Sequence, residues 1–183
     1  MKESEINLKS LFARYIIALV LFLLISYVYL ILTPITLFSS VFLLETFYDV
    51  DVYYLENLFV INDNIFELVP ACVAGSAFIL LISLNLLTPM SKKNRVNSLI
   101  FLVLSLFVLN VIRISVFASL YIQNFTYFDF THYAFWYFGS TALVVILWFT
   151  SVYIFKIKDI PLYTDIKLLI EEIKSNKKEW WIF

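Results

Sequence analysis

Apolar and polar positions alternate along this chain in long blocks. Three apolar runs, 11–32, 97–120 and 132–155, are long enough to cross a bilayer as helices, which takes roughly 20 residues at about 1.5 Å each. A fourth, 72–90, is shorter and ends cleanly in "TPMSKKNRVN". The piece "PITLFSSVFLLETFY" (34–48) follows the Thr33-Pro34 break, carries Glu45 and is too short to span comfortably, so it reads as an interfacial or re-entrant helix. In "NLFVINDNIFELV", two β-prone runs flank Asn62-Asp63-Asn64, residues that tolerate left-handed turns, and this predicts a short hairpin. In "DIPLYTDIKLLIEEIKSN", Leu162, Ile166, Leu169, Ile170 and Ile173 recur at helical spacing. They predict an amphipathic helix on the membrane, trailed by a tail bearing Lys and Trp.

The expected fold is therefore an all-α membrane protein, a single integral domain over residues 1–183. It comprises about four transmembrane helices, the interfacial or re-entrant helix, a short extracellular hairpin-like segment and the C-terminal amphipathic helix. Composition agrees: 62% of residues are hydrophobic, 19% aromatic, and mean hydropathy is +0.91, above what a soluble domain carries. One cysteine excludes an intrachain disulfide and a zinc cluster built from thiolates. Two glycines and four prolines leave little material for linkers.

Charge settles the expected topology. Between Arg14 and Lys92 there is no Lys or Arg, a gap of 77 residues. Lys2, Lys9 and Arg14 precede the first span, Lys92, Lys93 and Arg95 lie between the second and third, and Lys156 and Lys158 follow the fourth. The positive-inside rule then places both termini in the cytoplasm. Residues 33–71 and the loop 121–131 fall outside. Counting 34–48 as a separate span would put the acidic stretch 49–71 inside and the basic loop outside. The first span could instead be a cleaved signal peptide, but its apolar core is long and no small-residue cleavage pattern closely follows it, so a retained anchor is expected.

Three singular residues sit near the outer face of this arrangement. Twelve of the thirteen basic side chains fall on the cytoplasmic side; the exception is Arg113, in "FVLNVIRISVF", about 24 Å from the cytoplasmic start of its span. A charge within a membrane span is either functional or held in an interhelical hydrogen bond. The only histidine, His132, begins the fourth span in "FDFTHYAFWYFG", where it could be one more member of an interfacial aromatic belt. The only cysteine, Cys72, opens the second span in "ELVPACVAGSAF". There it is a small buried hydrophobe or a thiolate favoured by a helix N-terminus. Together the three types supply what cysteine chemistry requires: a nucleophile, a proton carrier and a fixed cation.

In that order the residues resemble the archaeosortase/exosortase family of membrane cysteine transpeptidases, through "PACVAGSAF", "NVIRI" and "THYAFWYFG" over about residues 50–145. The short chain looks more like the archaeal branch. The resemblance implies Cys72 as nucleophile, His132 as general acid/base, Arg113 as transition-state stabiliser, and Asn110, one turn from Arg113, as a supporting residue. It departs from the family where Val73 and Ala74 stand between the cysteine and Gly75; family members often have Ser or Thr and then Gly. The implied partners are secreted proteins with a C-terminal transmembrane sorting signal and a lipid or glycan acceptor, within a bed of membrane lipids. No cofactor, metal or nucleic acid is expected. The implied location is the cell membrane, with the active site at the extracellular face.

Two alternatives stand beside this reading. One is a non-enzymatic multi-pass component, such as a transporter subunit or assembly partner, with Arg113 in packing and Cys72 inert. The other is a hydrolytic intramembrane cysteine protease with water as acceptor. Asp129, three residues before His132, could orient the imidazole, but it reads more simply as a solvated carboxylate, as does Glu67.

Overall fold

The computed structural model describes residues 8–53 and 57–157. The amphipathic helix expected within 159–176 lies outside the described residues. Among the described residues, four helices are long and apolar enough to cross a membrane: Ile25–Leu44, Pro70–Leu87, Lys92–Ile122 and Phe128–Ile154.

The first of these departs from expectation. Helix α1 (Leu8–Leu23) is followed, after a break at Leu24, by α2 (Ile25–Leu44). The break is at Leu24, and Pro34 lies inside α2. Residues 34–44 are thus the second half of a helix long enough to span rather than a separate interfacial or re-entrant one. Proline removes one backbone donor, and a helix in an apolar surrounding must satisfy its loosened carbonyls from nearby. The carbonyl that loses its donor is that of Leu30, four residues back; beside it, the Tyr29 carbonyl accepts from Thr33 Oγ1 at 2.7 Å. The half-helix after Pro34 is held by its inward face, where Thr36, Leu37, Ser40, Val41 and Leu44 are buried.

Between α2 and the next helix the chain forms a small antiparallel sheet, so the fold is not purely helical. Strands β1 (Val50–Tyr53), β2 (Leu58–Ile61) and β3 (Asn64–Glu67) lie in the order β1-β2-β3. The expected hairpin is β2–β3, with Ile61 opposite Asn64. Its two-residue turn, Asn62-Asp63, has φ of 48° and 64°, the left-handed pair that matches strand twist. Asn64 begins β3 instead of belonging to the turn. The third strand, β1, adds Val50 opposite Ile61.

The chain then enters a single helical turn, α3 (Pro70–Val73), and α4 (Gly75–Leu87). Helix α5 (Lys92–Ile122) begins at Ser91, whose side chain accepts from the Asn94 amide, a capping bond that carries the helix out beyond the apolar run. Its buried residues Ser98, Leu102, Leu106 and Asn110 recur every fourth position, with Ser115 and Ala118 beyond them. Helix α6 (Phe128–Ala134), a π-turn (Phe135–Gly139) and α7 (Ser140–Ile154) complete the described chain.

Two apolar clusters hold these elements. One joins Leu37, Val41 and Leu44 of α2, Phe59 and Ile61 of β2, Val73 and Ala118, with Cys72 packed against it. The other joins Phe78 and Leu81 of α4, Leu102 and Leu106 of α5, and Leu147 of α7. The outward side chains are apolar as well, among them Leu30, Phe42, Ile146 and Phe149, as lipid contact requires. The polar residues between the clusters form the site.

Candidate functional site

Cys72 lies in a tight turn. Its N–H donates to the Val69 carbonyl at 2.8 Å, and two residues later Ala74 adopts φ 59° and ψ 28°. A left-handed alanine is unfavourable by roughly 1–2 kcal/mol, and here it interrupts the helix. The cysteine therefore does not open the long helix α4, as expected from sequence; it belongs to one isolated turn before it. A one-turn helix adds too little dipole to support the thiolate argument made from sequence.

The interruption leaves the first carbonyls and amides of the second span with distant partners. The Ser76 amide donates to Tyr29 Oη at 3.3 Å. The ladder restarts when Ala77 and Phe78 donate to the Ala74 carbonyl. The Cys72 carbonyl accepts from Asn110 Nδ2 at 2.9 Å and from Arg113 Nη2 at 3.0 Å. Asn110 Nδ2 also approaches the Val73 carbonyl at 3.4 Å. Arg113 Nη1 reaches the other way, to Ser140 Oγ of α7 at 3.0 Å. The guanidinium thus ties three segments together. Among the described residues no carboxylate pairs with it.

Three of the four residues singled out from sequence therefore meet: Cys72, Asn110 and Arg113. The meeting point is the cysteine's backbone carbonyl, with both donors in hydrogen-bond reach of it. His132 is placed differently. Its imidazole sits among aromatic rings, 5.3 Å from Phe117, 5.5 Å and stacked on Phe128, and 5.8 Å from Trp136. Phe117 is one turn beyond Arg113 on α5, so the histidine lies one turn along that helix from the guanidinium. Asp129 and Glu67 are both exposed.

A cavity of about 30 Å³ adjoins the polar cluster, lined by Asn110, Arg113, Ser140, Ala74, Phe135 and Leu143 among others. It is large enough for a water molecule, and it offers polar groups to hold one. Among the described residues no group of three His, Cys, Asp or Glu side chains is placed to hold a metal ion.

Sequence reasoning missed Ser140, Ala74 and Tyr29. A signal for two of them was present. The chain's only glycines are Gly75 and Gly139, and each adjoins one of these residues. A Cβ on Gly75 would stand 2.6 Å from the Tyr29 ring, and one on Gly139 would stand 2.6 Å from the Phe135 ring. Both glycines are there because a ring occupies the side-chain space. No family model, curated protein or solved structure matches the chain.

Proposed function

We propose that this chain is a membrane-embedded cysteine transpeptidase of the archaeosortase/exosortase type, acting on the C-terminal sorting signal of secreted proteins. The observation that carries the reading is the convergence of Asn110 and Arg113 on the turn that bears Cys72. Both had been singled out by their order in the sequence.

In the reaction, Cys72 Sγ attacks the scissile carbonyl of the substrate. The thiol proton passes to the His132 imidazole, and the carbonyl oxygen becomes an oxyanion beside Arg113. Collapse breaks the peptide C–N bond, and the imidazolium returns its proton to the departing amine. A lipid or glycan amine or hydroxyl then attacks the thioester. Its proton passes through His132 to the released Cys72 sulfur, and the substrate is left on the acceptor. The reading requires the imidazole to come within hydrogen-bond distance of Cys72 Sγ when substrate is bound. The catalytic site would face the extracellular side, with both termini in the cytoplasm.

The test is a comparison of cell-surface proteins between wild-type and Cys72→Ala cells. Proteins with a C-terminal motif, apolar helix and basic end are expected to keep that tail in the variant while the variant itself inserts normally. Unchanged tails would overturn the reading. Mass analysis of the mature C-terminus separates transfer to an acceptor from hydrolysis by water.

One observation favours a second, non-enzymatic reading. Both terminal nitrogens of Arg113 are engaged by protein acceptors, as they would be in an interhelical lock. On that reading Cys72 is replaceable without consequence, and the same comparison decides between the two.

A further inference from the structure

The last spanning helix runs from Phe128 to Ile154 and meets α5 along one stripe. The His132 ring contacts Phe117 at 5.3 Å, and Ser140 accepts from Arg113 at 3.0 Å. Arg113 and Phe117 are one turn apart, so these contacts stack one above the other. A regular α-helix would not align them. From residue 132 to 140 the side chain would rotate by roughly 800°, about 80° out of line. One residue absorbed in a π-turn reduces this to the equivalent of roughly 700°, about 20° from alignment.

The local sequence supports that turn. Gly139 leaves room for the Phe135 ring, which packs on Phe117 at 5.6 Å. The Phe135 carbonyl accepts the Ser140 amide, five residues on, and also the Ser140 hydroxyl at 3.3 Å. With its hydrogen committed there, Ser140 Oγ presents a lone pair to Arg113.

We propose that the π-turn Phe135–Gly139 is an alignment device that sets His132 over Arg113, and that Ser140 is a positioning residue for the Arg113 guanidinium. The second part rests on the transpeptidase reading; the alignment does not. Two measurements separate them.

The first is cross-linking of Phe117→Cys to His132→Cys by a short bis-maleimide in membranes, on a Cys72→Ala background. The pair is expected to cross-link in the full chain. Deleting Phe138 leaves seven residues of regular helix and the same rotation of roughly 700°, so it is expected to keep the cross-link. Inserting one Ala after Phe138 turns residue 132 away by roughly 100° and is expected to reduce the yield about tenfold. No cross-link in the full chain, its loss after the deletion, or an undiminished one after the insertion overturns the alignment.

The second is substrate processing. Ser140→Ala is expected to slow acylation of Cys72 about tenfold or more with substrate capture unchanged, and Ser140→Thr, which keeps the hydroxyl, to recover most of the rate. Equal rates in Ser140→Ala and wild type overturn the positioning role. If wild type processes nothing, the transpeptidase reading falls together with the role of Ser140, while the cross-link still decides the alignment.

Discussion

Asn110 donates from α5 to the backbone carbonyl of Cys72 at 2.9 Å, across 38 residues of sequence. Asn110 is 3% exposed, so the bond is shielded from bulk solvent. Asn110→Ala is expected to destabilise the protein by about 1 kcal/mol, the size of an interhelical hydrogen bond in a membrane protein. Reversible unfolding in mixed micelles measures this. A variant as stable as wild type would show that Arg113 alone suffices for the Cys72 carbonyl.

Gly75 faces the Tyr29 ring, so Gly75→Ala forces the ring aside and breaks the bond from the Ser76 amide to Tyr29 Oη. The expected loss is about 1–3 kcal/mol, as for overpacking elsewhere. Combining it with Tyr29→Leu should cost less than the sum of the two single changes, because the clash has gone. Strict additivity in thermal denaturation would show that the two residues do not meet.

Ala74 holds a left-handed conformation that glycine adopts without strain. Ala74→Gly should therefore raise stability by about 1 kcal/mol, and Ala74→Val should lower it by more than that. The order of melting temperatures, glycine above alanine above valine, checks the backbone of the turn that follows Cys72.

Charge segregation predicts the orientation of the helices. On a Cys72→Ala background, Thr126→Cys is expected to react with an impermeant maleimide in intact cells. Lys93→Cys is expected to react only after permeabilisation. Both positions are exposed, so access to the reagent depends on the side of the membrane. The opposite pattern would invert the topology.

Apolar length is a property of the chain taken locally, and so the last three long apolar helices, the turn at Asn62-Asp63 and the candidate residues Cys72, Asn110 and Arg113 were legible from the residues alone, whereas the first long helix was placed too early. Asn110 and Arg113 share a helix face by spacing, which made their pairing readable as well. Their common target was not. The carbonyl of Cys72 faces α5 because Ala74 turns left-handed, and nothing in "PACVAGSAF" states that conformation. The same limit explains Pro34. Read locally it ends a helix; in the fold, the buried face of residues 36–44 carries the helix through it.

His132 and Ser140 mark the boundary most sharply. The sequence by itself determined that a histidine opens the last span among aromatic residues. Only the tertiary structure decided that it stacks on Phe128 above Phe117, and that a π-turn brings Ser140 to Arg113. The reason is physical: in an apolar surrounding each polar group must find a partner, and the partners here lie tens of residues away on neighbouring helices.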